Sequence, residues 1–408
     1  MPLTYRHTRN ACFTGYVTQA IVNNLSPLLF LTFQQDFSIS LSQIGLIITL
    51  NFAIQMLVDL LSAHFVDQIG YRVCIVAAHV FTVLGLAGLS VLPRVLPAYA
   101  GLLIATAFNA VGGGLLEVLV SPLVEALPSE HKEREMSLLH SFYCWGHMAV
   151  VLLSTGYFLL FGTKNWRCLP LLWALVPLVN GIIFVKTPLC TLQEEGRTLS
   201  IGKLVQMPLF WLMFLLMICS GASEQAVSQW ASLFAEEGLN VNKTLGDLLG
   251  PCAFALLMGL SRMIFSKGAM PIRKALVLSG SLCVVSYLIV VFSPWPLLSL
   301  IGCAICGFSV GVMWPGVFSL SSQLLPAGGT AMFALLALAG DIGCCSGPSL
   351  VGAVSDGLLA SGQALPAMRS SLDNPAQGAL RMGFLAAIVF PLILSLCIAL
   401  LKRKKHRS

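Results

Sequence analysis

The chain has 408 residues, is 57% hydrophobic and only 10% charged, and has a mean hydropathy of +0.87, whereas ordinary soluble domains are roughly a quarter charged. This composition excludes a water-soluble globular protein, and the formal net charge of +6 speaks for an acidic partner only if the basic residues are placed for one. Apolar runs of about 20 residues, the length that crosses a hydrocarbon core of roughly 30 Å, follow one another along the chain. Lipid offers the backbone no hydrogen bonds, so each run is a helix. In chain order the helices are expected at 11–35, 41–66, 73–92, 97–126, 137–161, 168–187, 207–236, 244–266, 275–293, 297–325, 332–360 and 378–401, an all-α membrane protein of twelve spans.

With the loops sorted by side, only Arg94, Lys164, Arg167, Lys243, Arg369 and Arg381 fall opposite the termini, and the other 17 of 23 Lys and Arg share the side of both ends. Basic loops stay in the cytoplasm, so both termini are expected there, in a cell membrane of inner or plasma type, and the net charge needs no nucleic acid. The tail Lys402-Arg403-Lys404-Lys405 is expected to serve topology, with contact to anionic membrane lipid as its second use. The first run carries Asn23, Asn24 and Pro27 and is too long for a signal-peptide core, so it is expected to remain as helix one. The longest polar connections are 188–206, centred on Gln193-Glu194-Glu195-Gly196-Arg197, and 361–377. The chain therefore divides into a six-helix half at 1–187, a linker at 188–206 and a second half at 207–408. Two complete halves in one chain make a monomer the expectation.

The 13 cysteines lie almost wholly in the helices. Cys303-x-x-Cys306 has a redox or metal spacing, but at lipid depth, without nearby His or carboxylate, it is expected to serve packing. No nucleophile elbow, phosphate loop, dinucleotide fingerprint or metal motif occurs in the polar loops, so neither an enzyme, a cofactor nor a metal is expected.

A carboxylate at a helix centre costs about 2.5 to 3.5 kcal/mol on insertion scales, so an acid at that depth is a functional candidate. Glu117, Glu224 and Asp341 qualify. A carboxyl group keeps its proton in a dry pocket and releases it in a wet vestibule, which makes Glu117 the expected proton-coupling residue. Asp341 is expected to pair with Arg262 or another basic residue, and Asp59 to sit at the cytoplasmic rim. Amides donate and accept, and flat rings suit a pyranose face. Gln19, Asn23, Asn24, Asn51, Gln55, His140, His147, Gln225 and Gln229 fill out a polar interior. The expected substrate contacts are Asn23, Asn24, Asn51, Gln55, His140, Tyr143, Glu224, Gln225 and Trp314. The competing use of each is to fasten helices together.

The loop Ala63-His64-Phe65-Val66-Asp67-Gln68-Ile69-Gly70-Tyr71-Arg72 resembles the G-x-x-x-D-x-x-G-x-R signature of the major facilitator superfamily, with Ala63 for the first glycine. Gly259-x-x-Arg262, followed by Lys267, Arg273 and Lys274, is a weaker echo after helix eight. The resemblance implies alternating access between two halves, with Asp67, Gly70 and Arg72 as a conformational gate. Four further stretches resemble the fucose-galactose-hexose proton symporters. They are Gly113-Gly114-Leu115-Leu116-Glu117 with Ser121-Pro122, Leu139-His140-Ser141-Phe142-Tyr143-Cys144-Trp145-Gly146, Gly221-Ala222-Ser223-Glu224 with Trp230, and Met313-Trp314-Pro315-Gly316-Val317-Phe318-Ser319-Leu320. That branch implies proton symport of a sugar or polyol, although Asn24 stands where it carries a helix-one acid. Proton-coupled efflux of a drug or metabolite is the alternative, and the G-x-x-x-G-P-x-x-G-G signature of such antiporters is missing from helix five. Gly343-x-x-x-Gly347-Pro348 in helix eleven is a partial version, expected to serve close packing.

Overall fold

The computed structural model describes residues 4–128, 132–189, 201–266, 270–325, 328–361 and 375–401, which are helical with short connections and no strand. The linker core Gln193–Arg197, together with Lys267, Arg369 and the basic tail, lies outside the described residues. The first half contains α1 (Tyr5–Asn24), α2 (Leu41–Ile69), α3 (Tyr71–Val95), α4 (Ala98–Glu125), α5 (Lys132–Phe161) and α6 (Cys168–Lys186). The second contains α7 (Pro208–Ser228), α8 (Ala253–Ser266), α9 (Ile272–Phe292), α10 (Pro296–Val310), α11 (Gly329–Ser361) and α12 (Pro375–Ala387). Eleven segments among the described residues are long and apolar enough to cross a membrane. The remaining helix of the expected twelve is α1, more polar because it carries buried Gln19, Asn23 and Asn24.

Several helices are compound. Pro27 has no N–H to give, so α1 passes into a 3-10 turn at Ser26–Leu29 before a short helix, Phe30–Phe37. The chain then enters α2 through a reciprocal cap in which Ser40 and Gln43 satisfy each other's backbone N–H. π turns at Phe234–Gly238 and Leu248–Cys252 extend α7 and precede α8. α10 resumes at Met313–Leu324, and α12 at Val389–Leu400.

α11 lies against both α7 and α2. Its Gly343 faces the Ile218 carbonyl and its Gly347 faces Ala222, which is the close packing expected of that motif. Against α2, Gly352 meets Gly45, the hydroxyls of Thr49 and Ser349 are hydrogen-bonded, and Cys345 donates to the Thr49 carbonyl at 3.6 Å. Further contacts between the halves gather at the end remote from the termini. Lys243 Nζ donates to the Leu28 carbonyl at 2.9 Å, Thr155 donates to Asp247 at 3.3 Å, and the rings of Phe30 and Trp230 lie 6.3 Å apart. Towards the termini, Gly259 of the second half meets Cys144 and Trp145 of the first, and His140 is exposed although it lies on a bundle helix.

Candidate functional site

The centre of the bundle is a chain of hydrogen-bonded side chains that crosses from one half to the other. It begins at Glu117 on α4, which accepts from Gln19 Nε2 at 3.1 Å. The same Gln19 nitrogen donates to Gln55 Oε1 at 2.9 Å, and Gln55 Nε2 donates to Asn23 Oδ1 at 2.9 Å. Asn51, one turn from Gln55 on α2, donates to that oxygen at 3.1 Å. The crossing is made by Gln229, whose Nε2 donates to the Asn23 carbonyl at 3.0 Å and to Gln225 Oε1 at 2.9 Å. Gln225 Nε2 donates to Glu224 at 3.3 Å, and Arg262 stands 3.9 Å from the other Glu224 oxygen. An acid from each half thus closes either end of an amide network.

Local sequence explains the convergence. Gly113 and Gly114 let α1 and α2 approach α4 closely. A Cβ on Gly113 would sit 3.1 Å from Gln19 Oε1, and one on Gly114 would sit 2.9 Å from Val58 and 3.0 Å from the Gln55 carbonyl. Without that approach neither glutamine reaches its partner.

Seven of the expected contacts, Asn23, Asn24, Asn51, Gln55, Tyr143, Glu224 and Gln225, come together here, with Asn24 donating to the Tyr143 hydroxyl at 3.4 Å. Two do not join. His140 is exposed and lies edge-on to Tyr16, 5.3 Å between ring centres. Trp314 is turned towards α11, where Gly340 leaves room for its indole beside Phe318. Another expectation is corrected. Arg262 takes Glu224 as its counter-ion, while Asp341 faces Asp59. α2 and α11 run antiparallel in contact, so acids at one depth on the two helices meet.

Around the gate, Gly70 has φ +95°, a backbone that favours glycine. Arg72 donates to the carbonyls of Phe184, Val185 and Thr187, each at 2.8 Å, and so caps the end of α6. The Asp67 side chain lies outside the described residues.

Thr106 and Asn109 on α4 escaped the sequence reading. They line a cavity of about 10 Å³ with Asn23, Asn51 and Gln229, space for about one water. Asn109 stands two helical turns before Glu117, a spacing that would have placed it on the same face. His79, given no role from the sequence, meets Asn180 at 2.9 Å and ties α3 to α6. Cys303 and Cys306 are buried among apolar neighbours. No group of three His, Cys, Asp or Glu among the described residues could hold a metal ion.

The family model of the Major Facilitator Superfamily matches residues 11–348. The chain belongs to this superfamily. It is accordingly a multi-pass membrane transporter of small solutes and not an enzyme. One relative, the membrane protein MosC of Rhizobium meliloti, is 26% identical over 253 residues, 60% of this chain and 59% of that relative's length. This Major Facilitator fold is also similar to a bacterial homolog of the human lysosomal transporter Spinster in an inward-facing, occupied conformation. The TM-score is 0.70 at 14% identity, over 97% of this chain and 96% of the other. A point variant of the Escherichia coli fucose:proton symporter FucP aligns with a TM-score of 0.60 at 17% identity, over 95% and 98% of the two chains. Both likenesses are of fold.

Proposed function

We propose that this transporter carries a sugar or polyol by alternating access, as a symporter with protons, and that Glu117 is the proton-binding residue. The observation that carries this reading is the amide network between Glu117 and Glu224, since alternating donors and acceptors drawn from both halves match a polyhydroxylated solute. The fold likeness to a fucose:proton symporter supports the same reading. In the proposed cycle Asn23, Asn24, Asn51, Gln55, Tyr143, Glu224 and Gln225 hold the solute, and His140 lines its way out towards the side of the termini. Trp314 acts through the packing of α10 on α11. Glu117 exchanges its proton when the terminal side of the interface opens. Asp67, Gly70 and Arg72 set the angle of α2 and α3 as the halves rock. The termini are taken as cytoplasmic, the membrane as the inner or plasma membrane, the protein as a monomer, and the halves as 1–187 and 207–408 joined by 188–206.

The test is uptake of labelled hexoses and 6-deoxyhexoses into proteoliposomes, with and without an inward proton gradient. Gradient-driven accumulation that a protonophore abolishes, and that Glu117→Gln loses, is the expected result. Accumulation that Glu117→Gln leaves fully gradient-driven would sink the assignment of Glu117. Export against the gradient direction would favour the efflux alternative.

A further inference from the structure

Arg262 is a guanidinium between the halves of a membrane protein, and its described partners do not fill it. Nε donates to the Gly311 carbonyl at 3.3 Å, and Nη2 is 3.9 Å from the Met258 sulfur. Its counter-ion, Glu224 Oε2, is also 3.9 Å away, well beyond the 2.7 to 2.9 Å of a charge-assisted hydrogen bond. Nη1 meets no partner among the described residues. A largely buried arginine ordinarily closes on its acid with two parallel bonds. Here Glu224 is held back by Gln225, which donates to its other oxygen.

The surroundings of Arg262 belong to both halves. Glu224 of α7 and Tyr16, Tyr143, Cys144 and His140 of α1 and α5 lie within its electrostatic reach. Tyr143 is in turn hydrogen-bonded to Asn24 of the amide network. A fork with open N–H donors therefore stands beside groups suited to hydroxyls, with Trp145 and Cys144 packed against the neighbouring Gly259.

We propose that the solute is a polyhydroxylated carboxylate, a sugar acid, whose anionic group is held by Arg262 while the amides take its hydroxyls. The inference rests on the sugar or polyol reading above and narrows it. On binding, the carboxylate of the solute completes the guanidinium fork, and Glu224 moves from counter-ion of the protein to neighbour of a bound anion. Two carboxylates facing one guanidinium leave one negative charge over. Uptake of a proton on Glu224 balances it, which links solute binding to proton binding at the far end of the network from Glu117.

The test uses purified full-length protein in detergent, with the melting temperature followed as D-galactose, D-galacturonate, acetate or inorganic phosphate is titrated. Galacturonate is expected to bind at least tenfold more tightly than galactose. In the doubly neutral variant Arg262→Gln/Glu224→Gln, which leaves no buried charge unpaired, the ratio is expected to fall to near one. Arg262→Lys keeps the charge without the fork and should keep only part of the preference. Equal binding of the two sugars by the native protein, or a preference that persists in the double variant, overturns the anion site and leaves the sugar reading standing. Binding of acetate or phosphate alone, lost in the double variant, keeps the anion site and overturns the sugar reading. Silence from all four ligands, with an unchanged size-exclusion profile, overturns both.

Discussion

The carboxyl groups of Asp59 on α2 and Asp341 on α11 face each other across the boundary between the halves. Asp341 is buried, and neither its Oδ2 nor Asp59 Oδ1 has a hydrogen-bond partner among the described residues. Two ionised carboxylates have no hydrogen to place between them, so such a pair closes only when one of them carries a proton. Asn at either position supplies an amide N–H in its stead. The pair ties α2 to α11, so Asp341→Ala is expected to cost about 1 to 3 kcal/mol, and Asp341→Asn or Asp59→Asn to keep most of that stability. Thermal unfolding of the three variants beside the native protein measures this. Equal melting temperatures in all four would refute a structural role for the contact.

Lys243 latches the halves at the end remote from the termini. It reaches the Leu28 carbonyl of the first half while pairing with Glu236 at 3.0 Å and Asp247 at 3.2 Å in its own. Lys243→Met removes the latch and leaves two acids facing each other. The expected outcome is a shift towards the conformation open on that side, on the order of tenfold in population. Alkylation of a cysteine introduced at Thr49, read peptide by peptide by mass spectrometry, should quicken accordingly, and an unchanged rate would show that the latch is not needed.

Arg72 spans three carbonyls at the end of α6. Its replacement by Ala is expected to cost about 1 to 2 kcal/mol, and Lys should recover only part, because one ammonium cannot reproduce the planar fork. Thermal unfolding of the two variants measures both statements.

Gly114→Ala places a Cβ 2.9 Å from Val58 and 3.0 Å from the Gln55 carbonyl. α2 has to move away from α4, at a cost of about 1 to 3 kcal/mol, and the glutamines part with it. Solute affinity is expected to fall more than protein abundance does, as ligand titration alongside expression level would reveal.

The spans and their pairing were legible because helix length and loop polarity are local properties, and the run from Leu41 to Ser62 announces itself. Asn51 and Gln55 were legible too, since spacing alone puts them on one helix face. Partners across the bundle were not. Arg262 could have met either Asp341 or Glu224, and only the packing of α11 on α2 sets Asp341 against Asp59. Trp314 carries a suggestive motif, yet the direction of its ring depends on the vacancy that Gly340 makes on another helix.

The amides at the centre of the bundle are already hydrogen-bonded to one another, from Gln19 and Gln55 through Asn23 to Gln229 and Gln225, with Gln19 Oε1 left as an open acceptor. An incoming molecule can be admitted only by replacing those partnerships, one donor for one donor and one acceptor for one acceptor. A hydrocarbon has nothing to substitute and strands about 1 to 3 kcal/mol of unmet hydrogen bonding at each group it displaces. Discrimination is thereby built into the protein's own side chains, before any shape of the guest is considered.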